Sequence, residues 1–363
     1  MRGHGITVSG NDRDQELVAP AVTYRSPILN FPGACPPAED SPDSGVAWHY
    51  GDPLAEQRTL AAGTGVVDLS HRGVITVTGP DRLSWLHSLT TQQLEDLPVG
   101  ASTTALILSP HGHVEHEMHV IDDGITTWLT VEPGVADSLV AHLDRMRFML
   151  RVDVADVSSE TAVVWQPVRE AHPDLPSWLT PETYAEQTTT DTDVARYVPV
   201  RPNVYAGREV LVPRDSLESF VRDNVPAIGT WALEATRIAA GVPRVGFETD
   251  HRTIPHELGW VPIAVHLHKG CYRGQETVAR VHNLGRPPRR LVLLHLDGSA
   301  NRDVRPGDGV FYGEKSVGRV TSAVQHYELG PIALAVIKRA TPADAALLAE
   351  DVAATQEVIV VGG

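Results

Sequence analysis

Cysteine and lysine are nearly missing from this chain. Its 363 residues contain two cysteines, Cys35 and Cys271, and three lysines, Lys269, Lys315 and Lys338. Two cysteines cannot build the disulfide framework of a small secreted domain, and a reducing cytoplasm is the expected setting. Long apolar runs are missing too: nothing approaches the roughly 20 residues that a membrane helix needs. The opening MRGHGITVSGNDRDQELVAP lacks the basic-then-apolar layout of a signal peptide. Positive charge is in short supply. A formal net charge of −16 argues against direct nucleic-acid binding, which relies on Lys and Arg to neutralise phosphates. A local basic pocket for an anionic ligand stays open.

What is present describes a globular chain: 42% hydrophobic and 21% charged residues, at a length that suits two or three domains. Residues 1–45 are rich in Pro, Gly, Ser and Asp and read as a loosely ordered extension, with Cys35 inert inside it. GVITVTG (73–79) alternates like a strand. Pro80 and Asp81 suit a helix start, and Leu83, Leu86 and Leu89 follow at helical spacing. TTALILS, HVEHEMHVI and ITTWLTV read as strands, the last two joined by a turn at Asp122-Asp123-Gly124. A helix over about 134–147 and the strand LRVDVADV close a unit of about 73–155, a ferredoxin-like layer of helices on an antiparallel sheet.

Residues 156–200 are polar and read as an irregular connection. REVLVP is a strand, and DSLESFVRDN and GTWALEATRIAA are helices, the second ended by Gly241. GWVPIAVHL is strand-like, and a helix of about 274–283 follows. From about 286 to the end, strands separated by Gly-rich turns have the texture of a small antiparallel barrel. The fold class is α+β, with an extension (1–45), a central region (46–285) made of two interleaved subdomains, and a barrel (286–363).

Three groups could carry chemistry. In HKGCYRGQETVAR (268–280), Cys271 has Lys269 two residues before it, Arg273 two after, and a helix start beyond, all of which favour a thiolate. Gly270 and Gly274 permit positive φ and close backbone approach. The same glycines equally suit a small buried cysteine in a tight turn. In HGHVEHEMHV, His111, His113, Glu115, Glu117 and His119 share one face of a strand. His111 to His119 spans roughly 26 Å, so they cannot converge on one ion, and no metal site is expected. Trp128, Arg237, Glu257 and Trp260 suit a flat heterocycle with carboxylates, or ordinary core positions.

KGCYRGQE resembles the K-G-C-Y-x-G-Q-E signature of the YgfZ-type folate-binding proteins, relatives of the glycine-cleavage aminomethyltransferase (T-protein). GVVDLSHRGVITVTGPDRLSWLHSLTT is similar to the T-protein opening, and RIAAGVPRVG and PHELGW resemble later landmarks of that superfamily. The resemblance covers about residues 46–340. It implies a three-lobed cloverleaf with a tetrahydrofolate (or related reduced folate) site at its centre, contacted by Arg237, Trp260, Trp128 and Glu257. Lys269, Gly270, Cys271, Tyr272, Gly274, Gln275 and Glu276 would form the signature, with Cys271 and Lys269 as its chemical groups.

The family is implicated in iron–sulfur cluster assembly or repair, with effects on cluster-dependent enzymes including tRNA-modifying ones. Its partners would be iron–sulfur client or assembly proteins, with no nucleic acid and no membrane. Two departures from the T-protein stand out. Glu117 falls where an aspartate usually positions folate, and VYAGREV replaces G-Y-T-G-E-D, so the folate-clasping acid is lost to Arg208 or shifted to Glu209. Both argue against glycine cleavage. A folate-binding iron–sulfur accessory factor is the expected function, against a true aminomethyltransferase or a folate-free scaffold.

Overall fold

The computed structural model describes residues 24–181, 205–224, 226–284, 287–300 and 302–360. Helix α1 (Pro53–Ala61) starts where Pro53 occupies the first turn and the Asp52 carboxylate accepts from the N–H groups of Leu54 and Ala55. It leads into strand β1 (Val66–Asp68). The first sheet comes next: β2 (Gly73–Thr78), α2 (Arg82–Leu89), β3 (Ser102–Leu108), β4 (Val114–Asp122), β5 (Thr126–Val131), α3 (Ala136–Met146) and β6 (Asp153–Asp156). The five strands lie in the order β3-β4-β5-β2-β6 and neighbours are antiparallel. Both helices cover one face. Trp85 and Leu86 of α2 and Leu139 and Leu143 of α3 pack there on Ile75, Val77, Met118, Val120 and Leu129. The opposite face meets the rest of the molecule.

A second sheet is assembled from both sides of the first. It takes β1, β7 (Thr161–Gln166), β8 (Ser177–Leu179), β9 (Arg208–Pro213) and, after α4 (Leu217–Asp223), the short β10 (Ala227–Ile228). Their order is β10-β1-β7-β9-β8. Here the expectation of an irregular 156–200 fails: β7 is the central strand. Its polar flanks hide a run that is apolar on both faces, with Val163 and Trp165 in one core and Ala162 and Val164 in another. The remainder of that expectation, 182–200, lies outside the described residues.

Helix α5 (Thr230–Ala240) is the hub, packing against α1, β1 and two strands of the barrel. Gly241 ends it in the left-handed region (φ 73°), and the Val242 N–H returns to the Arg237 carbonyl. GWVPIAVHL is not a strand: Val261–Ala264 form the short helix α6, because Pro262 lacks an N–H for a ladder and suits a first helical turn. Helix α7 (Gln275–Leu284) then leads to the barrel. Strands β11 (Arg289–Leu296), β12 (Gly309–Tyr312), β13 (Lys315–His326), β14 (Gly330–Lys338), β15 (Leu347–Ala349) and β16 (Val352–Val358) close in the order β11-β14-β13-β12-β15-β16.

The loose extension is also corrected in part. Residues 1–23 lie outside the described residues, but 24–45 are pinned by a few buried side chains. Ser26 caps a 3-10 turn at Pro27–Asn30, Ile28 is fully buried, and Asp43 reaches the centre of the molecule. Composition missed this because a few buried side chains, not a periodic stripe, hold the segment. No helix among the described residues is long and apolar enough to cross a membrane.

Candidate functional site

A cavity of about 810 Å³, counting the solvent at its mouth, opens where the free face of the first sheet, the edge of the second, the end of α5 and the start of α6 converge. Its walls include Glu117 and His119 from β4, Trp178 from β8, Tyr205, Arg237 from α5, and Trp260. Arg72, Glu132 and Arg244 also reach it. Strand alternation explains the first pair: Met118 and Val120 point into the helix-covered core, so Glu117 and His119 point out of it.

His119 is clamped. Its Nδ1 lies 3.0 Å from Glu209 and its Nε2 3.3 Å from Glu117, and its ring stacks on Trp178 at 3.6 Å between centroids. Burial opposes its charge, but Glu209 and Glu117 outweigh burial and raise its pKa to about 9. Burial likewise opposes the Glu209 carboxylate, and His119 with Arg72 overrides it, to about 2. Glu117 keeps 13% of its side chain exposed and has His119 as its one ion-pair partner among the described residues, so it can still accept from a ligand.

Beneath the cavity runs a network of buried charges. Arg244 contacts Asp43 (3.0 Å), Glu132 (2.5 Å) and Glu234 (2.8 Å). Arg72 bridges Glu132 (3.1 Å) and Glu209 (2.5 Å). The Nε of Arg72 is buried with no hydrogen-bond partner among the described residues, an unsatisfied donor at the cavity wall.

Stability should therefore depend on pH through His119. Its folded pKa of about 9 exceeds the ordinary 6.5, so the native state holds a proton that the unfolded chain releases. The stabilisation is complete below pH 6.5 and is lost as pH rises through about 9, a change of about 2–3 kcal/mol. Denaturant unfolding at both pH values should show this loss in the wild type and its absence in His119→Gln.

The residues expected from sequence separate into three sets. Glu117 and Trp260 line the cavity. Arg237 lines it too, but is not free to grip a ligand. All five of its donors are taken: Nε by Glu234, Nη1 by the Val242 carbonyl and Glu248, Nη2 by Glu234 and Ser322. It braces the cavity floor. Trp128 and Glu257 are not among the lining residues. The Trp128 indole donates to Asp123 at 2.8 Å. Glu257 is fully buried, paired with Arg289 at 2.7 Å and accepting from the Ile254 N–H, which ties the turn before α6 to the barrel's first strand. Of the two positions open for the shifted acid, Glu209 faces the interior, while Arg208 turns away to Gln166 and the Glu170 carbonyl.

The signature segment lies outside the lining of the cavity, and most of it is anchorage. The Lys269 ammonium donates to the carbonyls of His87, Thr90 (2.6 Å) and Gln92 (2.9 Å). Burial pushes its pKa down to about 8, yet its three donors are all engaged, so it positions the loop instead of doing chemistry. Tyr272 is buried in the core with Leu258 and Val278. Gly274 sits at φ 82°, and a Cβ there would fall 2.6 Å from the Ser109 carbonyl oxygen. Arg273 pairs with Glu115 at 3.2 Å. Gln275 and Glu276 open α7. Between these fixings Gly270 has open space and Cys271 is exposed, so the reading of a small buried cysteine is excluded.

Sequence reasoning missed the cavity roles of His119, Trp178, Arg72, Glu132 and Arg244. His119 was visible only as one of several histidines, and its partner Glu209 lies 90 positions away in the chain.

Two domain families match: the GCVT N-terminal domain over residues 46–165 and the glycine cleavage T-protein C-terminal barrel domain over residues 289–360. An aminomethyltransferase of Corynebacterium jeikeium is 27% identical over 324 residues, covering 80% of this chain and 82% of that protein. A mitochondrial iron-sulfur cluster assembly factor IBA57 homolog of Chaetomium globosum is also 27% identical, over 287 residues, covering 71% of this chain and 63% of its own length. A putative chloroplastic transferase of Arabidopsis thaliana is similar at 27% over 281 residues, 72% of this chain and 62% of that protein. The crystal structure of glycine cleavage system aminomethyltransferase T from Bartonella henselae superposes with a TM-score of 0.72 at 18% identity, over 90% of this chain and 93% of that one, so the fold is shared. With two matched domains that together take in more than half of its residues, the chain belongs to the glycine-cleavage T-protein superfamily.

Proposed function

We propose that this chain is a reduced-folate-binding accessory protein for the assembly or repair of iron–sulfur clusters, acting in the cytoplasm, with Cys271 as its reactive or ligating thiol. The observation that carries the reading is the exposed Cys271, set between anchored neighbours: Lys269 fixed by three carbonyls, Tyr272 buried, Gly274 pressed on the turn at Ser109. A loop built so firmly around one solvent-facing sulfur is suited to presenting it to another molecule. A cluster usually needs four cysteine ligands, so a partner must supply the rest. The named likeness to an iron-sulfur cluster assembly factor supports the same direction. Cluster-dependent enzymes, tRNA-modifying ones among them, are the expected clients.

The cavity suits the flat, amide-like ring of a reduced pterin. Glu117 offers an acceptor to ring N–H groups, the unpaired Nε of Arg72 offers a donor to a ring carbonyl, and Trp260 supplies an apolar wall. When bound, the folate would supply a carrier for one-carbon units. The chain's part is to bind and orient it: His119, cationic between two carboxylates, fixes Glu117 in place.

Replacing Cys271 by serine tests the reading in cells. The activity of cluster-dependent enzymes under oxidative stress should fall to the level of a deletion strain, while the purified variant keeps its folate affinity within about twofold. Full enzyme activity in the serine strain overturns the role of the thiol.

A second reading is an aminomethyltransferase transferring a one-carbon unit to tetrahydrofolate, favoured by the similarity to enzymes of that name over four-fifths of the chain. Purified protein with an aminomethyl donor and tetrahydrofolate would then form methylenetetrahydrofolate. The glutamate at position 117, one methylene longer than the aspartate that the resemblance leads one to expect there, weighs against it, since a group that positions a reacting atom must sit within hydrogen-bond reach.

A further inference from the structure

Eight large hydrophobic side chains are exposed among the described residues, and six of them, Val99, Ile125, Met146, Phe148, Met149 and Leu150, are at one end of the first sheet. Strand register places them together. Thr78 pairs with both Thr126 and Asp153, and Ser102 with Ile121, so the loops at 79–81, 98–101, 123–125 and 147–152 emerge side by side. Contacts confirm it: Val99 packs against Gly124, Gly79 against the Arg151 carbonyl, and Asp81 pairs with Arg151 at 2.6 Å. Phe148 and Met149 are 83% and 87% exposed. Met149 stands at φ 55°, where a bulky residue is unfavourable. Exposed apolar side chains gathered at one end of a sheet are the kind of patch that marks an interaction site.

We propose that this end of the first sheet is a self-association surface, on which a second copy of the chain docks about a two-fold axis. The charges around the patch favour this occupant. Elsewhere the chain is strongly acidic, with a net charge of −16, and copies should repel. Here Arg145, Arg147 and Arg151 stand among Asp81, Asp123, Asp144 and Asp153. Arg151 pairs with Asp81, Arg147 with Asp144 (3.3 Å) and Asp153 (3.8 Å), and Arg145 has no carboxylate within ion-pair distance among the described residues. A two-fold axis brings the same patch against itself, so it needs both signs on one rim, and these exposed pairs can exchange partners across the axis. Met, Phe and Arg are also residue types enriched in interfaces. An anionic lipid surface fits poorly, since the aspartates and the overall charge would oppose it. The inference is independent of the proposed function.

Sedimentation equilibrium of the full chain tests it. The wild type should be dimeric at about 100 µM, where a micromolar dimer is largely formed, and added salt should tighten the dimer by screening the net charge. Phe148→Asp with Met149→Asp should weaken association by at least about 100-fold. Ile125→Asp, on a separate loop, should weaken it about tenfold or more. These side chains face solvent in the single chain, so thermal unfolding of each variant should match the wild type, separating lost docking from lost folding. A monomeric wild type at that concentration, or a dimer that survives both sets of substitutions, overturns the proposal.

Discussion

Replacing Arg244 by methionine should lower the free energy of unfolding by about 3–5 kcal/mol, the usual cost of leaving buried charges without their partner. Arg244 is 6% exposed, and its guanidinium answers Asp43, Glu132 and Glu234 at once while lying over the Phe247 ring at 4.3 Å. Methionine fills much of the same volume but supplies no charge, so three carboxylates must stay desolvated and repel, or take up protons. Asp43 and Glu132 are held below the usual carboxylate range because Arg244 overcomes their burial. Without it both should titrate higher, and the variant should lose less stability at low pH than at neutral pH. The exposed pair Arg302–Asp351 is the contrast: Arg302→Ala should leave stability unchanged within error, since solvent already screens it. Denaturant unfolding followed by tryptophan fluorescence reads both. A loss under about 1 kcal/mol for Arg244→Met would show that the network is not the keystone we take it to be.

The second large effect concerns ligand affinity. Glu117→Ala should weaken tetrahydrofolate binding by roughly 10- to 150-fold, the range for removing a charged hydrogen-bond partner. Two losses combine there. The cavity gives up the carboxylate that remains accessible, and His119 loses one of the two anions that hold it. Glu117→Gln keeps an acceptor oxygen and a similar reach, and should recover part of the affinity. A purely structural role for Glu117 would make the two variants alike.

Much of the frame was visible in the sequence, because local patterns determine it. The alternation in β2 and β5, the Asp-Gly turn between β4 and β5, and the glycine that ends α5 act within a few residues. The site was less legible, for a physical reason: its interactions join distant segments. Glu209 meets His119 only because the two sheets face each other, and Asp43 meets Arg244 across 201 positions. Arg237, expected as a folate contact, does line the cavity, but its donors are taken, two of them by Glu248 and Ser322 from the following loop and the barrel. Glu257 misled for the same reason, its partner Arg289 being the first residue of β11. In KGCYRGQE the exposed Cys271 is set among anchored neighbours, Lys269, Tyr272 and Gly274, whose partners lie far off in the chain.

The central claim is that the cavity grips a reduced folate independently of the exposed thiol. Calorimetric titration of tetrahydrofolate into the wild type, Glu117→Ala and Cys271→Ser tests it most directly. The account predicts one saturable site in the wild type, the same affinity within about twofold in Cys271→Ser, and a marked loss in Glu117→Ala. Absence of heat and of any thermal shift in the wild type at roughly millimolar folate, or equal affinity in Glu117→Ala, would contradict it.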